Sequence, residues 1–481
     1  MPDARQVPRM SSLKASIICW FRRDLRIADN TALYCAAKSG LPVVPVYVLS
    51  DWHRAHSWTG PNRQHFLCES LESLAKNLET LEGRLIVRQG GAVDALRKLI
   101  EECRAVAVHF NADPDPYGKS VEKAVRALCT ELGVECHAHA DSTLHQPDEV
   151  LTQSALPYRV YTPYSRNWLS LPKASPLAKP AVLRTPTEIK SLPLPTVAVW
   201  GLEIPATQIA TPGERSARER LKLAIAGKIQ NYAAKRDFPA ESSTSRISQD
   251  LRFGLISIRT VYAEVTKARA AADVTERAGI DIFIKELAWR EFYFAILHHF
   301  PNVLDEEFNA DWRGLPWDEP DERFEAWKDG KTGFPIVDAG MRELKATGFM
   351  HNRLRMITAM FLTKDLHIDW KLGESWFMQN LVDGEIASNN GGWQWSAGTG
   401  ADAAPYFRIQ NPWAQTLKFD SAGHYIRKWV PELAKIHASR FLEAPKDGRP
   451  IAPDYPLPCV DHKTERDRTL AIFKKHRESK P

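Results

Sequence analysis

The chain has 481 residues, which is too long for one simple core and predicts two or three domains. Hydrophobic residues make up 44% and charged residues 26%, the balance of a soluble globular protein, and the net charge of +5 is compatible with a polyanionic partner without identifying one. No apolar run approaches the roughly 20 residues that cross a bilayer, and residues 1–14 are too polar for a signal peptide. We therefore expect a cytoplasmic protein that does not enter a membrane.

Cysteine and tryptophan usage narrows the kinds of site to expect. The seven cysteines include no CxxC pair and no cluster with histidine, so neither a metal site nor a disulfide framework is predicted. Ten of the 15 tryptophans lie between Trp289 and Trp429. A tryptophan ring can fill a core, stack on a base or be oxidised by one electron, so this part of the chain is the first place to look for a site.

From Ser16 to about Asp141 the sequence alternates short apolar runs with amphipathic stretches. The runs predict strands at 17–21, 43–49, 84–87, 105–110 and 134–138, and the stretches predict helices at 62–81, 92–103 and 118–132. Apolar strands that alternate with helices predict a parallel, doubly wound sheet, whose ligands bind beyond the carboxyl ends of the strands. Gly90 and Gly91 follow a strand, but a GxGxxG fingerprint for dinucleotides is absent.

The rest of the chain changes character twice. Eleven of the 32 prolines lie between Pro147 and Pro212, which predicts a long, partly ordered linker. Helical periodicity dominates afterwards, at 214–231, 282–300, 338–366 and 375–381, with Gly, Pro and Asn clusters at 314–320, 330–335, 389–392 and 411–412 between helices. The predicted organisation is an α/β domain at 14–142, a linker at 143–212 and an all-helical domain at 213–475.

The segment from Asp383 to Trp395 has the most unusual composition in the chain. It holds two carboxylates, neighbouring amides at Asn389 and Asn390, two adjacent glycines and two tryptophans. Glycine lets a ligand approach the backbone closely, and amides satisfy both donors and acceptors on a heteroaromatic ring. The alternative is a loop between helices with packed aromatics. The segment favours a site for a planar, polar ligand.

This segment resembles the flavin-binding signature of the photolyase/cryptochrome family, and 396–412 continues the likeness. Further stretches resemble the family in the same order along the chain. They are WFRRDLR at 20–26 with Asp29 and Asn30, RDFP at 236–239, TSRIS at 244–248, WREFY at 289–293, 331–338 and HNRLRM at 351–356. Class I cyclobutane-dimer photolyases are the most similar group, so the resemblance implies a DNA-repair lyase that contains FAD.

The resemblance implies a set of FAD-binding residues in the helical domain. Tyr232, Thr244, Ser245, Arg246, Ile247 and Ser248 would hold the pyrophosphate region, and small polar residues at a helix start suit an anion. A plain N-cap series would look the same without the other segments. Arg290 would add charge at the phosphates, while Arg355 and Asp383 would pair beside the isoalloxazine. Asn389 would face its N5, and Glu385 stands where many relatives have Asp.

Two short helical faces resemble the family's lesion pocket. Glu286, Trp289 and Arg290 have i, i+3 and i+4 spacing, and Asn352 and Met356 have i, i+4 spacing. Taken alone, the first group reads as a salt-bridge face and Met356 as core. The resemblance implies that Trp289 and Trp395 are the walls of the pocket, that Glu286 and Asn352 bond the pyrimidine edges, and that Met356 touches the dimer.

The resemblance also implies an electron chain and DNA contacts. Trp393, Trp370 and Trp317 match the family's electron carriers, although each would otherwise be read as core. Arg236, Arg353, Arg408 and Lys418 are candidates for phosphate contacts, which orient DNA without reading its sequence. Taken individually, each is better read as a solvated charge. The expected partner is DNA that contains pyrimidine dimers, bound by a monomer.

A second, light-harvesting chromophore is expected in the α/β domain. The loop at 110–118, FNADPDPYG, follows a predicted strand and is similar to relatives that use a deazaflavin, and less like those that bind methenyltetrahydrofolate. The alternative is an ordinary proline-rich loop. Phe283 stands where some class I relatives carry Trp, so one stacking contact near the flavin is expected to differ.

Several other functions are alternatives to dimer repair. A signalling cryptochrome is the main alternative, although many such proteins replace the amide at Asn389. Photolyases for (6-4) lesions carry paired histidines where this chain has Asn352 and Met356, and single-strand-specific members usually lack the tryptophan at Trp395. A light-independent flavin reductase is the most remote alternative.

Overall fold

The computed structural model describes residues 15–50, 56–446 and 448–480. The start of the predicted α/β domain at residue 14, like the polar segment 1–14, lies outside the described residues. Five parallel strands form one sheet in the order β3-β2-β1-β4-β5. They are β1 Ser16–Phe21, β2 Val43–Leu49, β3 Ile86–Gln89, β4 Ala105–Asn111 and β5 Glu135–His139. The predicted doubly wound parallel sheet is confirmed.

In the described part of the chain, four helices cover this sheet. They are α1 Thr31–Lys38, α2 Pro61–Glu79, α3 Ala92–Cys103 and α4 Pro116–Leu132. Sequence periodicity missed α1, because eight residues are too few to show a clear helical pattern. Its start is nevertheless well defined, since the Asn30 side chain accepts a hydrogen bond from the Leu33 backbone N–H.

The order of the strands reverses between β1 and β4, which opens a crevice at their carboxyl ends. Ion pairs fill this crevice. Arg22 contacts Asp113 at 3.5 Å and also pairs with Glu122. Arg23 contacts Asp113 at 3.1 Å and reaches Glu385 of the helical region. Ion pairs in the crevice thus link the α/β part of the chain to the helical part.

The proline-rich segment 143–212 contains a helix that the sequence did not predict, α5 Tyr161–Ser170. Pro163 stands in the first turn of α5, where a missing N–H costs no internal hydrogen bond. Tyr164 and Trp168 are fully buried, and the indole N–H of Trp168 donates to Glu291 at 2.7 Å. The linker boundaries stay a prediction. The stretch has few regular elements, as expected, but burial of these aromatic side chains fixes α5 in place.

The remaining helices confirm the helical character of the second half. They are α6 Glu214–Gly227, α7 Tyr232–Lys235, α8 Ser248–Arg252, α9 Ile258–Ala271, α10 Val274–His299, α11 Glu322–Asp329, α12 Pro335–Thr347, α13 Asn352–Met360, α14 Trp370–Asn380, α15 Ile386–Ala397, α16 Pro412–Phe419, α17 His424–Trp429 and α18 His462–Glu478. The periodic stretch at 338–366 is divided into α12, α13 and a π-helical turn at Phe361–Asp365.

One prediction about this region was wrong. The cluster at 389–392 was expected to separate helices, but it lies inside α15. Gly391 permits α15 to approach α10, since a Cβ at this position would lie 2.1 Å from the Tyr293 ring. Tertiary packing therefore overrides the weak helix propensity of glycine and asparagine.

The main hydrophobic core crosses between the two parts of the chain. Phe21 and Leu67 from the α/β part belong to the same buried cluster as Leu287 and Ala387 from the helical part. The Phe66 and Phe253 rings, with centroids 5.0 Å apart, form one of the contacts across this boundary. The predicted domain boundaries stay a prediction, but both parts share buried surface. Among the described residues, no helix is both long enough and apolar enough to span a membrane.

Candidate active site

A cavity of about 540 Å³ lies in the helical region, bounded by α10, α13 and α15 and by the segment 232–252. Most of the residues that the sequence proposed for a site line it. They are Tyr232, Arg236, Thr244, Ser245, Ile247, Ser248, Glu286, Trp289, Arg290, Asn352, Arg353, Arg355, Met356, Asp383, Glu385, Asn389, Trp393 and Trp395. Residues as distant in sequence as Tyr232 and Trp395 therefore face one space.

An ion pair forms one polar wall of this cavity. Arg355 Nη2 donates to both carboxylate oxygens of Asp383, at 3.0 and 2.9 Å. Ser248 Oγ donates to the same carboxylate at 2.6 Å. The Asp383 side chain is almost fully buried, whereas that of Arg355 is about a quarter exposed. The guanidinium therefore offers unused donors toward the cavity while the aspartate holds it in place.

Glu385 lies beside this wall at the boundary with the α/β part. Its Oε2 pairs with Arg23, and Arg252 is 3.9 Å away. Within the described part of the chain, Oε1 of Glu385 is buried without a hydrogen-bond partner. A buried carboxylate oxygen with no partner is costly, so a ligand hydroxyl at this place would lower the free energy of the site.

Helix α15 presents its backbone and its amide to the cavity. Asn389 Nδ2 donates to the Glu374 backbone carbonyl at 3.1 Å, which fixes the orientation of its side chain. Gly392 lines the cavity, and a Cβ there would meet nothing within 4 Å. Trp393 is buried and packs against Phe377, with ring centroids 4.9 Å apart. The free space above Gly392 lets a flat ligand approach the helix.

Another part of the cavity wall carries the residues expected to contact a lesion. Arg236 donates from Nη1 to Glu286 Oε1, and Arg353 donates to Asp237 at 2.7 Å. Trp289 lies one helical turn beyond Glu286, and burial raises the pKa of Glu286, which the charge of Arg236 partly offsets. The spacing argument for α10 is confirmed, because Glu286, Trp289 and Arg290 all face the cavity.

Contacts within the protein already fix the Arg290 side chain, which was expected to bind phosphate. Its Nη1 donates to the Ser142 carbonyl at 2.9 Å, and its guanidinium lies over the Phe294 ring, 4.6 Å from the centroid. Burial lowers the pKa of Arg290 to about 10, so the group keeps its charge at neutral pH. Within the described residues the other donors of the guanidinium make no hydrogen bond, so they are available to a ligand.

Five of the proposed residues lie outside the cavity lining. Arg246 lies over the Phe349 ring with a φ of 56°. Trp370 is buried and donates to Glu307 at 3.2 Å, and Trp317 is half-buried. Arg408 and Lys418 are exposed. The roles proposed for these five residues stay predictions.

Sequence reasoning missed some of the polar residues of this site. Asp237 and Arg252 line the cavity. Asp237 belongs to the RDFP motif and Arg252 follows the TSRIS motif, but neither was given a role of its own in the prediction. Glu374 lies behind Asn389 on α14; it is fully buried, and its Oε1 has no partner within the described residues. Burial raises the pKa of Glu374 to about 8. The sequence signal that could have identified Glu374 was a carboxyl group four residues after Trp370 in an apolar helix.

A helix cap and ion pairs fix the loop at 110–118, which is expected to bind a second chromophore. Asp115 caps α4 by accepting a hydrogen bond from the Gly118 N–H at 2.7 Å, and Asp113 pairs with Arg22 and Arg23. These carboxylates therefore have partners within the protein.

The described residues include one trio that could hold a metal ion, Asp148, His298 and His299, whose ligand atoms lie within 4.8 Å of one another. The Lys119 ammonium contacts Nδ1 of His298. A cation already at this position disfavours a second one. This trio therefore lends no support to a metal centre.

The features of the cavity fit an FAD molecule. The unpartnered Glu385 Oε1 suits a ribose hydroxyl, the open Gly392 suits a flat ring, and Arg355 and the hydroxyls at 244–248 suit polar ring atoms and phosphates. The volume of the cavity, about 540 Å³, is in the usual range for cofactor sites.

Comparison with known proteins agrees with this fit. Residues 283–475 match the family described as the FAD binding domain of DNA photolyase, and residues 17–182 match the family described as DNA photolyase. A deoxyribodipyrimidine photo-lyase of Agrobacterium fabrum is 40% identical, covering 96% of this chain and 98% of the relative. A protein of the same description from Synechococcus is 38% identical, over 96% of this chain and 97% of the relative.

Two solved structures have the same fold. A class III photolyase from Agrobacterium tumefaciens superposes with a TM-score of 0.90 at 39% identity, covering 98% of this chain and all of the other. A Synechocystis cryptochrome superposes with a TM-score of 0.87 at 28% identity, over 96% of this chain and all of the other. The class I membership implied by the resemblance stays a prediction. The chain belongs to the photolyase/cryptochrome family, and its curated relatives place it among the photo-lyase enzymes.

Proposed function

We propose that the protein repairs cyclobutane pyrimidine dimers in DNA under blue light, as a flavoenzyme of the deoxyribodipyrimidine photo-lyase type. The observation that carries the proposal is the shared cavity. The flavin set, represented by Arg355, Asp383 and Asn389, and the lesion set, represented by Glu286 and Trp289, line one space. A cofactor and a flipped lesion bound there would be close enough to react without a long path through protein.

The flavin set would hold the cofactor at several points. Tyr232, Thr244, Ser245, Arg246, Ile247, Ser248 and Arg290 would contact the pyrophosphate and its surroundings. Arg355, fixed by Asp383, would donate to the ring, Asn389 would hydrogen-bond near N5, and Glu385 would take a ribose hydroxyl. When bound, reduced FAD would supply the light-driven electron that opens the cyclobutane ring and then take it back.

The lesion set would recognise the dimer by stacking and by hydrogen bonds. Trp289 and Trp395 would pack against the flipped pyrimidines, while Met356 supplies an adaptable apolar contact. Asn352 and Glu286 would bond the pyrimidine edges. A dimer is poorly stacked in DNA, so its extrusion into the cavity costs less than the extrusion of a normal base.

Glu286 would hold a proton at the lesion. The raised pKa increases the fraction of protonated carboxyl, which can donate from Oε to a pyrimidine carbonyl. A hydrogen bond of this kind would stabilise the dimer radical anion more than the neutral dimer, which is the requirement for catalysis. Arg236 must release Glu286 for this purpose, and a DNA phosphate is a suitable new partner for the guanidinium.

The surface around the cavity would contact the DNA backbone. Arg236, Arg353, Arg408 and Lys418 would bind phosphates, and the first two must exchange the carboxylates of Glu286 and Asp237 for them. Trp393, Trp370 and Trp317 would carry electrons from the surface to the cofactor. Trp393 lines the cavity, Trp370 is buried and Trp317 is half-buried, which is a suitable order for such a path.

We also propose a light-harvesting chromophore in the α/β part, a deazaflavin in preference to methenyltetrahydrofolate. The sequence of the loop at 110–118 supports this choice. An absorption spectrum of the purified protein, followed by chromophore extraction and mass spectrometry, tests the choice. Recovery of a folate would overturn the deazaflavin proposal and leave the repair proposal intact.

The decisive experiment is repair of a dimer-containing duplex under blue light, with a dark reaction as the control. Light-dependent loss of the dimer supports the proposal. Normal FAD content and normal photoreduction without any repair would overturn it in favour of a cryptochrome-type photoreceptor, the alternative supported by the Synechocystis cryptochrome fold.

A further inference from the structure

Tyr161, the first residue of α5, lies flat against Trp289. Their ring centroids are 3.6 Å apart and the ring planes differ by 9°. Trp289 lines the cavity whereas Tyr161 does not, so the tyrosine covers the side of the indole that faces away from the ligand space. Phe292 meets both rings edge-on, at 5.6 Å from Trp289 and 5.9 Å from Tyr161. The indole therefore has an aromatic support behind it.

Tyr161 is itself held in place by a hydrogen bond. Its hydroxyl donates to the Lys285 backbone carbonyl on α10 at 2.6 Å. Tyr161 thus connects α5 to α10, which carries Trp289. Its side chain is buried, and this burial raises the pKa of the phenol, so the hydroxyl keeps its proton.

A supported indole binds a flat ligand better than a mobile one. Stacking requires the ring in one orientation, and a side chain that is already immobile loses little further entropy when the ligand arrives. Undamaged DNA, which keeps its bases in the helix, gains nothing from this preorganisation. The support should therefore favour a flipped lesion over ordinary DNA.

We propose that Tyr161 is a positioning residue that holds Trp289 for stacking and thereby sets the selectivity for dimer-containing DNA over undamaged DNA. This inference rests on the proposed function of the cavity. It gives the linker segment a part in substrate recognition. The competing explanation is that Tyr161 only fills the core between α5 and α10.

Two substitutions separate these explanations. Tyr161→Phe keeps the stacked ring and removes the hydroxyl bond to Lys285, whereas Tyr161→Leu keeps an apolar side chain and removes the ring. The dissociation constants for a duplex with one thymine dimer and for the same undamaged duplex are measured for each FAD-loaded protein. FAD absorbance and the thermal unfolding midpoint report the integrity of the fold.

We expect Tyr161→Leu to lower the ratio of the two affinities about fivefold to tenfold, through the dimer affinity alone, because an aromatic pair contributes on this scale. Tyr161→Phe should stay within about twofold of the wild type. Repair per absorbed photon at saturating dimer DNA should change little in either variant, because Tyr161 does not touch the reacting groups.

Three results would overturn the inference. Unchanged selectivity in Tyr161→Leu would leave Tyr161 a core residue. An equal loss in Tyr161→Phe would assign the effect to the hydroxyl bond rather than the ring. A loss of affinity for both duplexes, together with a lower FAD content, would mean general disruption. A wild-type protein without any preference for the dimer would instead overturn the proposed function itself.

Discussion

Arg236 and Glu286 pair with each other in the cavity wall, although one is proposed to hold a DNA phosphate and the other a pyrimidine. Both side chains are about a third exposed, so solvent screens the pair and an incoming phosphate can compete for the arginine. DNA binding and release of Glu286 would then be one event. A lesion would meet a free carboxyl only when the DNA backbone is already in place.

The substitution Glu286→Ala tests this coupling, because it should change the affinity for undamaged DNA and the efficiency of dimer repair in opposite directions. Removal of the carboxylate frees Arg236, so undamaged DNA should bind equally well or about twofold to threefold more tightly. Dimer-containing DNA should be repaired about tenfold less efficiently, since one hydrogen bond to a charged or polar edge is lost. Gel-shift titrations and repair yields measure the two quantities. A loss of affinity for undamaged DNA alongside the loss of repair would contradict the coupling.

The pair of Arg355 and Asp383 should contribute to stability as well as to FAD binding. Arg355→Met leaves the buried Asp383 carboxylate without its cation, and we expect a loss of about 2–3 kcal/mol, less than for a fully buried pair because Arg355 is partly exposed. Urea unfolding of the FAD-free proteins measures this loss without the contribution of bound cofactor.

A double variant supplies the control for that experiment. Arg355→Met combined with Asp383→Leu removes both charges and should recover most of the lost stability, although FAD binding stays impaired. Additive losses from the two substitutions would show that the residues do not act as a pair.

Sequence patterns predicted the regular elements well where burial follows a simple period. The strand at 43–49 and the helix at 92–103 have the predicted bounds, and the i, i+3, i+4 face of α10 points into the cavity. The strand is apolar and buried throughout, and the helix has one apolar and one polar face, so local sequence and tertiary structure agree. The resemblance to a family supplied the ligand, which periodicity alone did not identify.

The parts that sequence did not predict depend on contacts between distant segments. The helix α5 forms in a proline-rich stretch because Trp168 and Tyr164 are buried against α10. Arg23 meets Glu385 across 362 positions of the chain, and no local pattern announces such a pair. The glycines of α15 read as a break in the helix, since the Tyr293 ring that requires a small residue lies almost 100 residues earlier.

The two adjacent glycines of α15 should respond differently to alanine. Gly391→Ala would place a methyl group into the Tyr293 ring, and the resulting overpacking should cost about 1–3 kcal/mol of unfolding free energy. Gly392→Ala adds a methyl group to open space and should stabilise the FAD-free helix by up to about 1 kcal/mol. The same methyl group should lower FAD occupancy, because Gly392 lines the cavity.

Flavin content and urea unfolding of the FAD-free protein separate these two effects. Gly391→Ala should lower the unfolding free energy of the FAD-free protein. Gly392→Ala should lower the flavin content while the protein stays folded. Equal FAD content in Gly392→Ala and the wild type would place the cofactor away from this side of α15.

Glu374 predicts a pH dependence of stability with a definite sign. Burial raises its pKa from an ordinary value of 4.5 to about 8, so the folded state disfavours the ionised carboxylate. The carboxyl therefore contributes its full stability below about pH 4.5, and this contribution is lost as the pH rises through about 8. The loss is at most about 1.4 kcal/mol per pH unit within this window.

Glu374→Gln should remove this dependence, because the amide keeps the size of the protonated acid and never ionises. The variant and the wild type should have similar unfolding free energies near pH 5, while the variant should be more stable by about 1 kcal/mol or more at pH 8. Urea titrations of the FAD-loaded proteins across this range measure the difference. A wild-type unfolding free energy that does not change with pH would contradict the prediction. A variant whose unfolding free energy changes as steeply as that of the wild type would assign the pH dependence to another group.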